Sequence, residues 1–384
     1  MSEKKVLVIA IYSHPEYLPP TLNAIEYLSE IYEKIYVVHR NVEGFDWQYP
    51  SNVKLLYAGA LLTVRAAEQK SIIAKIKAFL AFSILLANTY RSNKASALLL
   101  YDFMPILSYR IIHKFIRAPQ LLWYHNHDVA EQQYLRKWSL SWLAWKSEKW
   151  IFPKLTIFSL PAMERKDHFF MEKLKGAFYF IPNYPSSRKY TAINKSKSDD
   201  SVFRILFQGS IGTGHGLEEI ISILNQPVGG KILNLVVKGF ISKEYKSQLE
   251  QLAKQNNVLD KLIFMGPSGY REVIANAQNC HIGIGIHRKT DVMNKTLGTA
   301  SNKIYEYAAA GLPVLIYDNI HFRKHLQQYE WAFFTDGTPD SIKTCIEKIC
   351  TDYTKYCNKA RDDFEANLNF EVYFEPVCSF LKTF

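Results

Sequence analysis

Short apolar segments alternate with helix-like segments along this chain, and the alternation starts afresh half-way through the sequence. Such a pattern is typical of parallel strands joined by right-handed crossovers. The chain has 384 residues, which is more than a single hydrophobic core usually holds. The sequence therefore predicts an α/β protein with two doubly wound domains in tandem, whose facing strand ends would line a central cleft.

The predicted strands fall into two series. The first series comprises Val6 to Ile11, Lys34 to Val38, Val53 to Leu56, Ala97 to Leu100, Gln120 to Tyr124, Leu155 to Ser159 and Ala177 to Ile181. The second series comprises Phe203 to Gln208, Ile232 to Lys238, Leu262 to Met265, His281 to Ile286, Val314 to Ile316 and Trp331 to Phe334.

A polar, proline-containing segment separates the two series and leads into a stretch rich in Ser, Lys and Asp that ends near Ser201. We therefore predict an N-terminal domain over residues 1–185 and a C-terminal domain over residues 186–369. One long helical run, Pro339 to Ala366, and a last helix, Phe370 to Lys382, complete the predicted secondary structure.

The composition indicates a folded protein with an anionic partner. Hydrophobic residues make up 48% of the chain and charged residues 22%, while the net charge is +11. That charge would attract nucleic acid, an acidic membrane or a phosphorylated small molecule, and no nucleic-acid-reading module is recognisable. The five cysteines show no metal-binding spacing and no signal peptide is apparent, so we expect reduced thiols and a cytoplasmic protein.

The most apolar stretch is Ile72 to Asn88, and its uninterrupted run from Ala78 to Ala87 is too short to span a bilayer. Basic residues near this stretch could make a surface that rests on anionic lipid at the inner face of the cell membrane. Two packed helices with solvated charges are an equally good interpretation. The basic residues concerned are Lys75, Lys77, Arg91, Lys94, Arg110, Lys114 and Arg117.

The segment ASNKIYEYAAAGLPVLIYD, from Ala300 to Asp318, is the most informative about function. It predicts a helix that begins near Ser301 and Asn302, ends at Gly311 and is followed by a strand. A helix amino terminus at a sheet edge offers unpaired N–H groups to a phosphate. Glu306, one turn later, could accept hydrogen bonds from the two hydroxyls of a ribose, or it could be an ordinary solvated carboxylate.

Several other strand ends carry candidate ligand-binding residues. A glycine-rich loop, QGSIGTGHG, follows the first strand of the second series, and Lys238 ends the next strand, where it could neutralise a diphosphate. Met265, Gly266 and Pro267 end a further strand in a place suited to a base, and Arg288 and Lys289 add positive charge to the same edge.

In the first half, the sequence HNHD ends a strand and could project His127 and Asp128 towards a ligand. A His-x-His pair can bind a metal, but no further ligands are identifiable, so we expect no metal site. We favour hydrogen bonding of His127 to a sugar. His14 follows the first strand and could line the same cleft or act as a helix cap.

The order of FQGSIGTGHGLEEII, VVKGF, FMGPSGYREVIANA, CHIGIGI and SNKIYEYAAAGLPVL resembles the GT-B glycosyltransferases of family 4. The likeness covers nearly all of the second half and is more diffuse in the first. It implies a GT-B fold, two Rossmann-like domains, a final helix (370–384) that packs back on the first domain, and retaining transfer from a nucleotide-sugar donor. The nucleotide sugar would be a substrate, and neither a cofactor nor a metal is implied.

The resemblance also implies roles for individual residues. Glu306 would bind the ribose, the loop with Gly209, Ser210 and His215 would hold the diphosphate, and His127 would face the transferred sugar. The donor-binding set would be completed by Lys238, Met265, Gly266, Pro267, Arg288, Ser301, Asn302, Lys303 and Ile304, with His14 and Asp128 on the acceptor side.

Two features depart from the family pattern. Ser210 and His215 stand where many members carry an arginine and a lysine, so Lys238, Arg288, Lys289 and Lys303 are the candidates for phosphate compensation. The first family glutamate is replaced by Gly298, and Asp291 or Asn294 could take over its contact with the donor sugar.

The function expected from these observations is transfer of a sugar from a nucleotide sugar to a glycan or lipid-linked acceptor, in cell-surface polysaccharide synthesis. Glu306, Lys238 and His127 would carry the transfer. The absence of the first glutamate motivates a different hypothesis, a catalytically silent GT-B subunit that supports a partner enzyme. A nucleotide-sugar epimerase on the same architecture is a third possibility.

Overall fold

The computed structural model describes residues 5–191, 200–288 and 291–384. The chain divides into two compact units, here called the first unit (residues 1–182 and 373–384) and the second unit (residues 183–372). The sequence-based boundary, after residue 185, lies in the same proline-containing segment as this division.

The first unit is a seven-stranded parallel sheet, ordered β3-β2-β1-β4-β5-β6-β7, with its helices. Its elements are β1 (Val6–Ile11), α1 (Pro19–Ser29), β2 (Lys34–His39), β3 (Val53–Leu56), α2 (Val64–Glu68), α3 (Ile72–Ser92), β4 (Ala97–Tyr101), α4 (Phe103–Ile112), β5 (Leu121–His125), α5 (Leu140–Ile151), β6 (Ile157–Leu160) and β7 (Ala177–Phe180).

The second unit is a six-stranded parallel sheet, ordered β10-β9-β8-β11-β12-β13. Its elements are β8 (Val202–Ser210), α6 (Leu217–Ile223), β9 (Ile232–Phe240), α7 (Lys243–Gln255), β10 (Leu262–Gly266), α8 (Tyr270–Gln278), β11 (Ile282–Gly285), α9 (Val292–Lys295), α10 (Asn302–Ala309), β12 (Val314–Tyr317), α11 (Ile320–Leu326), β13 (Ala332–Thr335), α12 (Pro339–Thr351) and α13 (Tyr353–Ala366). The last helix, α14 (Phe370–Thr383), begins in the second unit, and from Tyr373 onward it belongs to the first.

Every predicted strand is present, with ends shifted by at most two residues. The central strands were recognisable in the sequence because they are buried. All six residues of β1, for example, are buried and form one apolar run. Strands covered on both faces are expected to show such runs in parallel sheets. The prediction of two doubly wound α/β sheets is therefore confirmed.

Strand order places a switch point in each sheet. In the first unit the chain reverses its direction of growth between β1 and β4, and in the second unit between β8 and β11. Ligands of open α/β sheets bind at the carboxyl ends of the strands beside such a point. The residues after β4, β8 and β11 are thus the ones to inspect for function.

The helix α10 ends as the sequence predicts. Gly311 adopts a positive φ of 69°, which glycine tolerates at little cost, and its N–H donates to the Ala308 carbonyl at 2.9 Å. The N–H of Leu312 reaches the Tyr307 carbonyl at 2.9 Å, which completes a Schellman motif. Pro313 then leads into β12, so the position of α10 on the sheet is fixed at both ends.

The predicted single helix from Pro339 to Ala366 is wrong. The chain breaks at Asp352, whose φ of −148° and ψ of 52° separate α12 from α13. The next residue, Tyr353, is buried, and its hydroxyl donates to the His281 carbonyl at 3.1 Å. This tertiary contact redirects the chain without a glycine or proline, so no local signal announced the break.

The apolar stretch from Ile72 to Asn88 belongs to a longer helix than predicted. α3 has 21 residues, and by length and composition alone it is long enough to cross a bilayer. In the fold one face of α3 is buried through residues such as Phe79, Phe82 and Leu86. The opposite face leaves Ile73 and Ile84 more than half exposed.

Candidate functional site

Glu306 of α10 is buried, with 4% of its surface exposed. Its carboxylate accepts a hydrogen bond from Gln208 Nε2 at 2.5 Å, and the Gln208 side chain comes from β8 beside the switch point. The alternative interpretation of Glu306 as a solvated helix carboxylate is therefore wrong. The structure brings this acid to the sheet edge where a ligand is expected.

Burial raises the pKa of Glu306 to about 7, although hydrogen bonding from Tyr270 and Gln208 and the charge of Lys303 act against that rise. Removing a carboxylate from water disfavours its charged form. Near neutral pH the group thus exchanges between a proton-donating and a proton-accepting state. A ligand with two adjacent hydroxyls would stabilise the ionised form, because the carboxylate can accept from both.

Lys303 lies on the same helix, and its ammonium nitrogen sits 4.0 Å from the centre of the Phe207 ring. A Cβ built on Gly209 would lie 3.6 Å from that nitrogen, so the lysine covers the end of β8. Burial lowers the pKa of Lys303 to about 7, partly offset by Glu306. Among the described residues no carboxylate lies within 4.0 Å of the ammonium group, so an anionic ligand would find this charge available.

The amino terminus of α10 is the third part of this site. Ser301 is the N-cap residue, yet its side chain makes no capping hydrogen bond. The preceding loop is held by Asn183, whose backbone N–H donates to the Thr299 carbonyl at 3.1 Å and whose side chain donates to the Ala300 carbonyl at 2.9 Å. The first N–H groups of α10, from Asn302 onward, have no partner within the helix and are positioned to bind an anion.

Two glycines at the ends of β8 and β9 lie side by side. A Cβ on Gly239 would stand 1.9 Å from the Gly209 carbonyl oxygen, and both residues have positive φ values, 136° and 114°. At Gly239 a side chain would displace the backbone, and at Gly209 the positive φ disfavours any residue other than glycine. The sheet edge below Lys303 is consequently flat and open to close approach by a ligand.

The other predicted phosphate ligands are engaged within the protein. Lys238 is 1% exposed and pairs with Glu272 at 2.7 Å. Arg288 donates to Glu219 at 2.5 Å and to the Gly337 carbonyl. These cations stabilise the walls of the site, and Lys303 alone of the three offers its charge to the sheet edge. The fourth candidate, Lys289, lies outside the described residues.

The glycine-rich loop places its two remaining candidates differently. Ser210 is exposed at the end of β8. His215 is half-buried, with its ring 4.7 Å from Phe207 and Nδ1 3.1 Å from the Ile286 carbonyl oxygen. Ser210 can reach a ligand, whereas His215 mainly positions the loop.

The segment predicted to meet a base also leads to Glu306. Met265 is 42% exposed and Gly266 turns the chain with a φ of 65°. After Pro267 the chain enters α8, whose first residue, Tyr270, is buried and hydrogen-bonds to Glu306. The sequence analysis missed both Tyr270 and Gln208. Gln208 ends the predicted strand Phe203 to Gln208, and Tyr270 begins the helix that follows β10.

Gly298 occupies the position where the family pattern has its first glutamate. A Cβ there would lie 2.3 Å from Cδ2 of His325, so no larger side chain fits without moving that ring. Packing against His325 therefore favours glycine at position 298 over a glutamate. Of the two proposed substitutes, Asp291 caps α9 and binds Asn294 through both backbone and side chain, at 2.9 and 2.7 Å.

In the first unit, His127 lies at the carboxyl edge of the sheet, just beyond β5, and is 2% exposed. Its Nδ1 lies 3.3 Å from an Asp102 carboxylate oxygen, and its Nε2 lies 3.2 Å from the Thr21 hydroxyl. The ring also stacks on Tyr101, with centroids 4.9 Å apart. Both ring nitrogens therefore have partners, and a sugar would have to displace the Thr21 hydroxyl to reach His127.

Asp102 organises this network and was missed by the sequence analysis. It follows β4 with a φ of 63°, a conformation that is strained for a residue with a side chain. Its carboxylate accepts from the N–H groups of His127 at 2.7 Å and Asp128 at 3.3 Å. A carboxylate directly after a buried strand adjacent to β5 was the signal that could have revealed it.

The two predicted acceptor-side residues differ in their environments. Asp128 is exposed and available to a ligand. His14 is buried and caps a short turn, with Nδ1 accepting from the Glu16 N–H at 3.4 Å. Burial, and next the neighbouring His39, lower the pKa of His14 to about 4, so its ring is neutral. The capping interpretation describes the observed contact.

No group of three or more His, Cys, Asp or Glu residues in the described part of the chain is arranged to hold a metal ion.

Comparison with known proteins identifies the architecture. Residues 189–367 match the family model described as glycosyl transferases group 1. Sucrose-phosphate synthase from Thermosynechococcus elongatus superposes with a TM-score of 0.69 at 12% identity, covering 99% of each chain. The chain has the GT-B fold. No curated protein matches this sequence.

Two further solved structures share the GT-B fold over nearly their whole length. HepE from Anabaena, in complex with UDP, has a TM-score of 0.64 at 12% identity and covers 99% of this chain and 100% of its own. WaaG, a glycosyltransferase involved in lipopolysaccharide biosynthesis, has a TM-score of 0.64 at 13% identity, with coverage of 98% and 99%. The resemblance seen in the motifs of the second half is thereby confirmed at the level of the GT-B fold, and the group 1 family model matches that same half.

Proposed function

We propose that this GT-B protein transfers a sugar from a nucleotide-sugar donor to a glycan or lipid-linked acceptor, by a family 4-like, retaining reaction in cell-surface polysaccharide synthesis. The observation that carries the proposal is Glu306, which is buried at the switch point of the second sheet with Lys303 and the uncapped amino terminus of α10. A carboxylate for a ribose and a cation plus N–H groups for a diphosphate are the complement of a nucleotide sugar.

In the proposed donor complex, ionised Glu306 accepts from the two ribose hydroxyls. The diphosphate lies over the glycine pair at the end of β8, where Lys303 and the first N–H groups of α10 neutralise it. The base contacts the segment from Met265 to Pro267. Support comes from the solved relatives described as HepE in complex with UDP and with UDP-glucose.

The proposed reaction joins the acceptor hydroxyl oxygen to the anomeric carbon while the bond from that carbon to the diphosphate breaks. The acceptor proton passes to an oxygen of the departing diphosphate. Negative charge grows on that diphosphate in the transition state, so Lys303 and the helix N–H groups bind the transition state more tightly than the ground state. With this charge supplied by the protein, we propose that no metal ion or cofactor takes part.

The acceptor is assigned to the first unit, where Asp128 is exposed beside the His127 network. We place the protein in the cytoplasm, on the inner face of the cell membrane. The exposed apolar face of α3, with Ile73, Ile84 and the exposed Lys77, suits an anionic lipid surface. Lys75 contributes less, because it pairs with Glu68 at 3.5 Å.

A nucleotide screen tests the donor proposal. We expect one of UDP, GDP, ADP and CMP to raise the melting temperature of the wild-type protein, because a ligand that binds only the folded state stabilises it. Glu306→Gln should lose this shift, with affinity reduced by roughly 100-fold from the loss of two charged hydrogen bonds. The matched control is Glu250→Gln, which alters a partly exposed glutamate of α7 and should keep the full shift.

Turnover distinguishes the remaining hypotheses. Transfer or donor hydrolysis by the wild type that disappears in Glu306→Gln supports a glycosyltransferase. Nucleotide binding without turnover of any donor supports the silent subunit, and donor isomerisation without an acceptor supports an epimerase. Equal melting shifts in the wild type and Glu306→Gln would contradict the assigned donor site.

The membrane proposal has its own test. The wild-type protein should co-sediment with vesicles that contain phosphatidylglycerol, and Ile84→Ser combined with Lys77→Glu should weaken this binding. Lys54→Gln, which changes an exposed lysine of β3, serves as the control. Unchanged sedimentation of the double variant would rule out α3 as the lipid-binding face.

A further inference from the structure

The first unit contains a second concave site, at the edge of its sheet opposite to His127. A cavity of about 920 Å³ opens where β1, β2, β4 and β5 begin. Residues at the starts of these strands, Val6, Lys34, Ala97 and Leu121, line it. The proposed donor and acceptor sites use the carboxyl edges of the sheets, so this cavity is not part of them.

The cavity is strongly basic. Five cations contribute to its wall, against one carboxylate side chain, Glu33. Among the residues that the structure describes, none of these cations forms an ion pair within 4.0 Å, and Lys5 only approaches the Leu381 carbonyl, at 3.5 Å. The cations are Lys5, Lys34, Arg91, Lys94 and Arg117.

Helix geometry explains only part of this charge. The carboxyl end of α3 favours cations because of the helix dipole, which accounts for Arg91. Lys5 and Lys34 precede or begin strands, and a dipole of that kind does not account for them. The like charges repel one another, and the single carboxylate side chain of Glu33 does not balance them, so an anionic ligand would supply the missing negative charge.

Lys94 is placed at a position where glycine is normally preferred. It is the residue after the C-cap of α3, with a φ of 48°, and the next residue, Ala95, donates to the Tyr90 carbonyl at 3.1 Å. This is a Schellman motif, in which a residue other than glycine is strained. A lysine at this point brings a charge to the cavity at the expense of local stability.

Tyr90 provides the second, independent observation. Its side chain is 2% exposed and lines the cavity, and its hydroxyl has no hydrogen-bond partner within the described chain. A buried polar group without a partner is costly and uncommon. Burial raises the pKa of Tyr90 to about 12, although Arg117 acts against the rise, so the hydroxyl keeps its proton and can donate.

The remaining wall is apolar and aromatic. Tyr36, Phe115 and Leu381 line the cavity, and Phe115 is 72% exposed at its margin. We infer that this cavity is a binding site for a phosphate group attached to an apolar or aromatic body, with the cations and the Tyr90 hydroxyl holding the phosphate. The inference concerns the first unit only and does not depend on the proposed glycosyl transfer.

Calorimetric titration of the full chain tests this inference with three probes. Dihexanoyl phosphatidic acid, used below its micelle concentration, represents a lipid phosphate, and phenyl phosphate represents a soluble phosphate ester. Dihexanoyl phosphatidylcholine, whose phosphate is neutralised within the headgroup, is the control. We expect the phosphatidic acid to bind at least tenfold more tightly than the phosphatidylcholine, and added salt to weaken that binding.

Two variants separate binding from folding. Lys94→Gly should leave the melting temperature unchanged or raise it, because glycine relieves the left-handed strain, while affinity for the binding probe falls roughly tenfold. Tyr90→Phe should also preserve the melting temperature, because it removes an unpartnered buried hydroxyl, and should lower affinity roughly fivefold. Lys54→Gln changes a lysine outside the cavity and should bind as the wild type does.

The titrations distinguish a lipid ligand from a soluble phosphate ester. Binding of phosphatidic acid but not phenyl phosphate supports a lipid ligand, and comparable binding of both supports a soluble phosphate ester. The inference is overturned if neither probe binds, if phosphatidylcholine binds as tightly as phosphatidic acid, or if Lys94→Gly and Tyr90→Phe bind like the wild type.

Discussion

The carboxyl edges of the two sheets both carry polar side chains, but they differ in how fully partners within the protein compensate those side chains. In the first unit both ring nitrogens of His127 are occupied, by Asp102 and Thr21. In the second unit Glu306 and Lys303 are buried or half-buried charges whose pKa values both lie at about 7. At the first edge the hydrogen bonds of His127 are all made within the protein. At the second edge the charges of Glu306 and Lys303 would be compensated further by a bound ligand.

The difference indicates how each unit contributes. A satisfied network holds its residues in one geometry and changes little when a ligand arrives. Charges kept out of water without full compensation gain most from a ligand of complementary charge. We therefore expect substitutions in the second unit to change nucleotide binding and substitutions in the first to change stability and turnover.

After Glu306→Gln, the largest effect is expected for Lys303→Met, which keeps the length of the side chain and removes its charge. Affinity for the stabilising nucleoside diphosphate should fall by roughly 30-fold, the equivalent of about 2 kcal/mol for a charged hydrogen bond. Calorimetry with the diphosphate and with its parent nucleoside measures the effect. Lys246→Met, at a partly exposed lysine of α7, is the control. An equal loss for the nucleoside would show that Lys303 does not bind the phosphates.

A smaller effect is expected for Asp102→Asn, and it should fall on turnover rather than on nucleotide affinity. The variant keeps the shape of the side chain but weakens the hydrogen bonds to His127 and Asp128, so turnover should fall about tenfold. Nucleotide affinity should stay within about twofold of the wild type. Asp46→Asn, at an exposed position of the same unit, controls for loss of charge. Nucleotide affinity that falls together with turnover would contradict this division of labour.

The smallest effect is a pH dependence of stability in the absence of ligand. Since the pKa of Glu306 rises from 4.5 to about 7 on folding, the folded state holds the proton more tightly, and Glu306 costs stability as pH rises through this range. Glu306→Gln removes that cost. The melting temperature of the variant relative to the wild type should therefore increase between pH 5 and 7 by several degrees, at about 2–4 °C per kcal/mol.

Thermal unfolding of both proteins across that range checks the sign. Lys303 titrates in the opposite sense, because its pKa falls from 10.5 to about 7, so it adds stability as pH rises above 7 in both proteins. Because Glu306 helps to hold the pKa of Lys303 up, the lysine also titrates in this range once Glu306 is replaced, and the same comparison in a Lys303→Met background isolates the carboxylate. A difference that shrinks as pH rises would contradict a raised pKa at Glu306.

Local pattern was enough to predict the strands and the ends of α10. Continuous apolar runs mark strands buried on both faces, and Gly311 followed by proline marks the end of a helix. The break at Asp352 was not predictable, because it depends on the distant contact between Tyr353 and the His281 carbonyl. Similarly, Gln208 and Asp102 matter through partners that are remote in sequence.

The sequence by itself determined that there are two parallel sheets with a carboxylate-bearing helix at one edge, since periodicity and turn residues act over a few neighbouring positions. Only the tertiary structure decided which charges are free to meet a ligand. In the sequence, Lys238 and Arg288 are as good candidates for binding a phosphate as Lys303. In the structure they are paired with Glu272 and Glu219. Pairing and burial are properties of three-dimensional neighbours, and these set both the charge and its availability.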